Sequence, residues 1–447
     1  MRGTRTRQGG EPPDGVRRVS DSEIVEIHGL RVWDSRGRPT VEVEIRLAGG
    51  ALGRSIAPAG ASTGSGEATD RRDGGDAFGG YDVAGAVRAV DDEIAAALAG
   101  MDAADQAAVD ARLIELDGTG NKSRLGGNAM IATSMAVAQA AAAAAGEPLW
   151  RHLLGSSEPR LPLPEIQIFG GGAHAGRRVD IQDFMVIAVG AEDYTQALDW
   201  TAEVYRAAGE LMAKAGKLCG VADEGGYWPD FDGNEDALAM MVRAIERAGL
   251  EPGADMAISL DIAASEFGER GRYRLARDGR DMDADGLIEM LLGWVGTYPI
   301  VSIEDPLAED DPEGFSRFTN AVGDHVQVVG DDLLVTNASR VGEAAANRRC
   351  NALLVKPNQA GTLSETKAAF DAARDAGFGT IVSARSGETE DVTMVNLAVG
   401  WGAPQMKVGS FARSERMAKW NEGLRIARAA GGRGPLFPKV GFPWGAA

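Results

Sequence analysis

The chain has 447 residues, 44% of them apolar and 25% charged, and a formal net charge of -20 at pH 7. That length exceeds one ordinary domain and predicts two, while the acidic balance argues against nucleic acid and anionic membrane surfaces as partners. No apolar run is long enough to span a membrane, and Cys219 and Cys350 fit no metal or redox spacing, so they read as reduced thiols of a cytoplasmic protein.

In chain order, residues 1–21 carry arginines but no apolar core, which argues against a secretory signal; their Gly, Pro and Arg content predicts a disordered tail. A small α+β domain is expected over 22–155. It begins with strands at Ile24–Val32 and Thr40–Leu47, separated by the turn-rich DSRGRP. A Gly/Ser/Thr loop follows from Pro58 to Gly75, then helices over Val83–Leu98, Ala103–Leu116 and Asn128–Ala145. The last is apolar nearly all round, as a buried helix is. Pro159, Pro162 and Pro164 mark a domain boundary. From 160 to 432, strands alternate with helical segments at Asp193–Ala215, Asn234–Ala248, Ala284–Tyr298, Ala338–Arg348 and Leu363–Ala376. That alternation is the signature of a parallel β/α barrel. Residues 433–447 are Pro/Gly-rich and read as a surface tail.

The expected barrel strands end in charge. Asp261 closes AISLD, Glu304 closes PIVSIE, Asp331 closes VQVVGD, Lys356 closes NALLVK, Arg385 follows TIVSA, and Lys407 closes PQMK. Parallel barrel strands converge on one mouth at their C-terminal ends, so these charges would meet in space. Buried together, they are tolerable only if they pair with one another or hold metal. Acidic residues at strand ends are often turn formers or helix caps. That reading suits an isolated SLD or GDD, but not three in register followed by two lysines. His28, His152 and His325 carry no motif and read as surface or packing residues.

The segments DSRGRPTVEVEI, GASTGSGEA, GGAHAG, DIQDFM, DEGG, SLDIAASEF, SIEDPLAEDD, VGDDLLVTN, LLVKPNQAGTLSET, SARSGETED and KVG with RSER follow one another along the chain. In this order they resemble the signature segments of the enolase family, from about residue 22 to about residue 430. The resemblance implies an N-terminal α+β capping domain followed by a modified (β/α)8 barrel. It also implies chemistry on 2-phosphoglycerate and phosphoenolpyruvate through an enolate, two Mg²⁺ ions with substrate bound, and a homodimer or octamer. Asp261, Glu304 and Asp331 resemble the metal ligands, and their hard oxygens suit Mg²⁺. Ser62, in the loop, resembles the ligand of the second ion and a substrate contact. Lys356 resembles the general base, with Lys407 and the cations expected to depress its pKa. Arg385 and Ser386 resemble the phosphate contacts, and Glu224 the acid that assists departure of hydroxide. His174, Gln182, Asp183 and Lys407 match family positions at the substrate, with His174 and Asp183 in catalytic roles; His174 favours function over packing because it sits in a polar ligand loop.

The chain departs from the family pattern at three of these places. Asp183 stands where the family has Glu, Ala384 where it has His in the segment before Arg385, and Gly66 where its loop carries His. One methylene and two imidazoles are thus expected to be missing near the phosphate and leaving-group end. Three readings follow. The first is a specialised secondary-metabolism paralogue, by analogy with carboxyphosphonoenolpyruvate synthase of phosphonate biosynthesis, in which a phosphonoformyl group becomes attached to an enolpyruvate oxygen. The second is a phosphopyruvate hydratase that tolerates the changes. The third is a non-catalytic binding protein, against which the two retained lysines argue.

Overall fold

The computed structural model describes residues 20–61 and 64–445. Nearly all of the expected N-terminal tail, and Ser62 with it, lies outside the described residues.

The first hairpin forms where alternation predicts it. Strand β1 (Ile24–Trp33) pairs antiparallel with β2 (Pro39–Leu47), and Val41, Val43, Ile45 and Leu47 of β2 point into the core. The turn is fixed by Asp34, whose carboxylate accepts from the amides of Arg36 at 2.8 Å and Arg38 at 2.9 Å. A third strand, β3 (Leu52–Ile56), completes an antiparallel sheet in the order β1-β2-β3. It packs on the buried helix Gly127–Ala144. The approach is so close that a Cβ at Gly53 would lie 2.2 Å from the Ala136 carbonyl oxygen, which explains both the glycine and the helix's run of alanines. The helix expected over Val83–Leu98 is interrupted by a π-helical segment, Ala89–Ile94.

The second domain is a closed barrel. Its strands are β4 (Leu163–Gly170), β5 (Asp183–Ile187), β6 (Ala257–Asp261), β7 (Ile300–Glu304), β8 (Gln327–Gly330), β9 (Ala352–Val355), β10 (Gly379–Ser383) and β11 (Gln405–Ser410). Sequential neighbours pair, and β11 returns to pair with β4. All these pairings are parallel except those of β5, which runs antiparallel to both β4 and β6. This reversal departs from strict alternation and has a consequence for the mouth. The first residue of β5, not its last, lies beside the last residue of β6, so Asp183 is in register with Asp261.

Pro164, expected at a domain boundary, lies inside β4, where it pairs in register with Met406. Helices at Pro312–Val322, Thr393–Trp401 and Ser414–Ala429 exceed the sequence expectation. The second is buried along its whole length and shows no polar face. The third buries Arg416 and Lys419 on its inward side, which hides the apolar stripe that would have revealed it. The segment from Arg433 is anchored at the barrel floor. Leu161 donates its amide to the Pro435 carbonyl at 2.9 Å, and Phe442 packs on Leu163 and Ile187. Among the described residues, no helix is long and apolar enough to cross a membrane.

Candidate active site

The strand-end charges do meet. Glu304 is in register with Asp261, and Lys407 with Ser383, so successive strands deliver their charges to one mouth. Asp261, Glu304, Asp331, Arg385 and Lys407 are all buried. The Lys407 ammonium lies 2.8 Å from Asp261 Oδ2, 2.7 Å from Glu304 Oε2 and 3.6 Å from Asp183 Oδ2. Burial opposes its charge, but Asp261 and Glu304 together raise its pKa well above the ordinary lysine value.

The three expected metal ligands are therefore adjacent but divided between partners. Asp261 and Glu304 share Lys407, whereas Asp331 pairs with Lys356 and accepts from Gln359 Nε2 at 2.9 Å. Burial and the neighbouring Asp261 raise the Glu304 carboxyl well above its usual range, and its Oε1 is buried with no hydrogen-bond partner. An acceptor stranded among oxygen donors fits a hard cation. The next acidic residue, Asp305, has a ligand atom within 4.8 Å of those of Asp331 and Asp332. It has a left-handed φ of 40°, and its carboxylate caps the amides of Asp331 at 3.0 Å and Asp332 at 2.8 Å, which shapes the turn after β8. Burial and then Asp331 push Asp332 up to about 8.

Lys356 is held by Asp331. Burial lowers its pKa, and Arg385 and Lys407 act in the same direction, but the Asp331 carboxylate outweighs them and holds it above the ordinary value. In this arrangement its ammonium is an ion-pair partner.

The opposite side of the mouth is a second network. His174 Nδ1 lies 3.3 Å from Asp183 Oδ1, and Nε2 lies 3.1 Å from Ser386 Oγ. Burial disfavours the imidazolium, yet the carboxylates of Glu224 and Asp183 overcome it and raise His174 to about 9. Burial would raise Asp183, but His174 and Lys407 bring it down to about 2. Asp183 also accepts from Gln167 Nε2. Gln182 donates to Asp261 Oδ2 at 3.0 Å. Glu224 lines the same cavity, at a tight turn where a Cβ on Gly225 would lie 2.7 Å from the Ala412 carbonyl oxygen. The ligand atoms of His174, Asp183 and Glu224 lie within 4.8 Å of one another.

Between the two networks is a cavity of about 20 Å³, lined among others by Ala61, Lys356, Ala384, Arg385, Ser386 and Lys407. Ala384 presents only a methyl group there, as expected. Gly66 does not line it. Arg340 donates to the Ser65 carbonyl at 2.7 Å, and the Ser65 hydroxyl donates to Glu309 at 2.8 Å, which draws the loop toward another cleft. A Cβ at Gly66 would lie 2.5 Å from Arg340 Nη2. Gly66 thus lies at a cleft other than the one that Arg385 and Ala384 line.

Residues outside the sequence reading hold Arg385. Glu67 Oε2 accepts from its Nη1 at 3.0 Å, and Asn358 Oδ1 accepts from the same nitrogen at 3.1 Å. The Arg385 carbonyl accepts from Arg416 Nη1 at 2.7 Å, and Lys419 grips Glu388 at 2.8 Å and the Thr389 carbonyl at 2.6 Å. Glu67 stands within GASTGSGEA and Arg416 within RSER, so the motifs carried them without revealing their partners.

Two family models match the chain. The N-terminal domain of enolase covers residues 24–153, and the C-terminal TIM barrel domain of enolase covers residues 158–436. The chain belongs to the enolase family.

Proposed function

We propose that this enolase-family enzyme removes the proton alpha to the carboxylate of a three-carbon phospho-acid of the 2-phosphoglycerate or phosphoenolpyruvate type, with Mg²⁺, and that it is specialised toward a substrate altered at the phosphate or leaving-group end. The observation that carries this is the convergence of Lys356, Lys407 and three carboxylates at one barrel mouth, facing Arg385 across a small cavity.

Asp261, Glu304 and Asp331 would hold the cation. When bound, it supplies the concentrated positive charge that such proton removal demands. Lys356 Nζ would take the α-proton as the neutral amine, once Asp331 gives up its ion pair with it. Lys407 keeps its charge throughout, because the carboxylates around it hold the proton. Arg385 and Ser386 bind the phosphoryl oxygens, with the planar guanidinium giving direction. His174, kept as an imidazolium by Glu224 and Asp183, donates toward the same group. Burial on all sides excludes water from the proton-transfer path.

The specialised reading rests on Ala384 and Asp183. Ala384 leaves a methyl where a donor would serve the phosphate end, and Asp183 is committed to Gln167, His174 and Lys407. Carboxyphosphonoenolpyruvate synthase-type chemistry, with an added phosphonoformyl group, is compatible with that. A phosphopyruvate hydratase is the second reading, favoured by Glu224, which lines the cavity and can serve as the acid. Dehydration of 2-phosphoglycerate, with and without Mg²⁺, separates them. The specialised reading expects negligible native turnover and a gain in the Asp183→Glu/Ala384→His double variant. Native turnover in the ordinary range of roughly 1–10³ per second would establish the hydratase instead.

A further inference from the structure

Gln359 is almost fully buried between the two arms of the site, and its amide is used at both ends. Nε2 donates to Asp331 Oδ1 at 2.9 Å and to Glu67 Oε1 at 3.1 Å. Its Oε1 accepts from the Thr336 hydroxyl at 2.6 Å, and the same hydroxyl accepts from the Lys356 amide at 2.9 Å. The Gln359 carbonyl accepts from the Ala68 amide at 2.8 Å, which docks the stem of the N-terminal loop onto the barrel. Glu67 in turn faces the Arg385 guanidinium through both its oxygens, at 3.0 and 3.4 Å. One amide thus joins the carboxylate of the cation arm to the carboxylate that orients the anion arm.

The backbone is arranged to keep it there. Val335 and Thr336 are both β-branched and both left-handed, with φ of 42° and 51°. Such residues avoid that region unless their surroundings force them. The strain aims the Thr336 hydroxyl at Gln359 and leaves the Gln359 nitrogen, with its two hydrogens, no choice but the two carboxylates.

We propose that Gln359 is a positioning residue that couples cation binding at Asp331 to phosphoryl binding at Arg385. A cation that draws on Asp331 shifts the Gln359 amide, and Glu67 and Arg385 move with it. Binding at either arm therefore changes the affinity of the other by the same factor. This rests on the roles proposed above for Asp331 and Arg385, and it adds a residue and a linkage to them.

The test is calorimetric titration of the full chain with inorganic phosphate, with and without saturating Mg²⁺, which requires no turnover. The native protein is expected to bind phosphate more tightly with Mg²⁺. Gln359→Met keeps the length but removes the amide, and it is expected to cut that gain by about tenfold, a loss in the range of one hydrogen bond to a charged group. The direct attraction between cation and phosphate remains. Thr336→Val, which frees the amide without removing it, is expected to show a smaller loss and guards against a poorly folded Gln359→Met. A merely structural role would lower thermal stability and leave the Mg²⁺-dependent gain at its native value; that result in both variants overturns the coupling alone. Failure of the native chain to bind either probe overturns the coupling and the proposed function together.

Discussion

The two sides of the barrel mouth are built differently. On the side proposed to hold the cation, Asp261, Glu304, Asp331, Lys356 and Lys407 come from the ends of β6, β7, β8, β9 and β11, and ion pairs lock them together. On the side proposed to bind the phosphoryl group, His174, Asp183, Glu224, Arg385 and Ser386 come from loops and from the one reversed strand, and supporting residues hold them in place. Strand ends place a charge through the sheet's own register. Loop residues depend on partners such as Glu67, Asn358 and Arg416, so their chemistry can change by a substitution or two while the barrel is kept. The departures Asp183 and Ala384 both fall on the phosphoryl side.

The largest test of this contrast is Lys407→Met. It leaves Asp261, Glu304 and Asp183 buried around a missing cation. Breaking such a group by removing one partner costs about 3–5 kcal/mol, readable by chemical unfolding in the presence of a chelator. Added Mg²⁺ should restore part of the loss by supplying the charge from another source. A cost under about 1 kcal/mol would show that the carboxylates are not ionised together, and the cation side would lose its electrostatic account.

The phosphoryl side makes a pH-dependent prediction. The ordinary pKa of His174 is 6.5, and the fold raises it to about 9. Its charge therefore stabilises the fold fully below pH 6.5, and that contribution is lost as pH rises through about 9. The shift corresponds to about 3 kcal/mol. Asp183 moves less, from 3.8 to about 2, because Glu224 also faces the imidazole; the pair itself contributes about 2 kcal/mol. Unfolding free energy measured between pH 6 and 9.5 should fall in the native chain and lie flat by comparison in His174→Gln. Parallel curves would mean that the imidazole is neutral in the fold.

The same contrast explains what could be read without the structure. Charges at strand ends repeat with the barrel, so Asp261, Glu304, Asp331, Lys356 and Lys407 were visible as a pattern, and the hairpin at Asp34 followed from its turn residues. The reversal of β5 is not written in the composition of DFMVI, since direction is set by the connection before it. Helix Ser414–Ala429 was hidden because its inward face carries Arg416 and Lys419, whose partners are backbone carbonyls and Glu388. The pairing of Lys356 with Asp331 is a side-chain contact that the strand-end pattern does not carry. Gln359 and Glu67 were passed over for a related reason. A buried amide and a loop carboxylate acquire meaning only from what they touch.

Gly66 offers the smallest effect and the sharpest separation of loop from cavity. Its φ is +99°, and a Cβ there meets Arg340 Nη2 at 2.5 Å. Gly66→Ala should therefore destabilise the fold by about 1–2 kcal/mol through backbone strain and a displaced guanidinium. The methyl would point at the Arg340 guanidinium, and Arg340 does not line the cavity with Arg385. Phosphate affinity at saturating Mg²⁺ should then stay at its native value in Gly66→Ala. Ala384→His, which places a donor in the cavity wall, should change it. If Gly66→Ala weakens phosphate binding as much as it lowers stability, residue 66 acts on the cavity through its neighbour Glu67, which pairs with Arg385. The anion arm would then depend on the loop as a whole, where the present geometry confines the loop's part to Ala61 and Glu67.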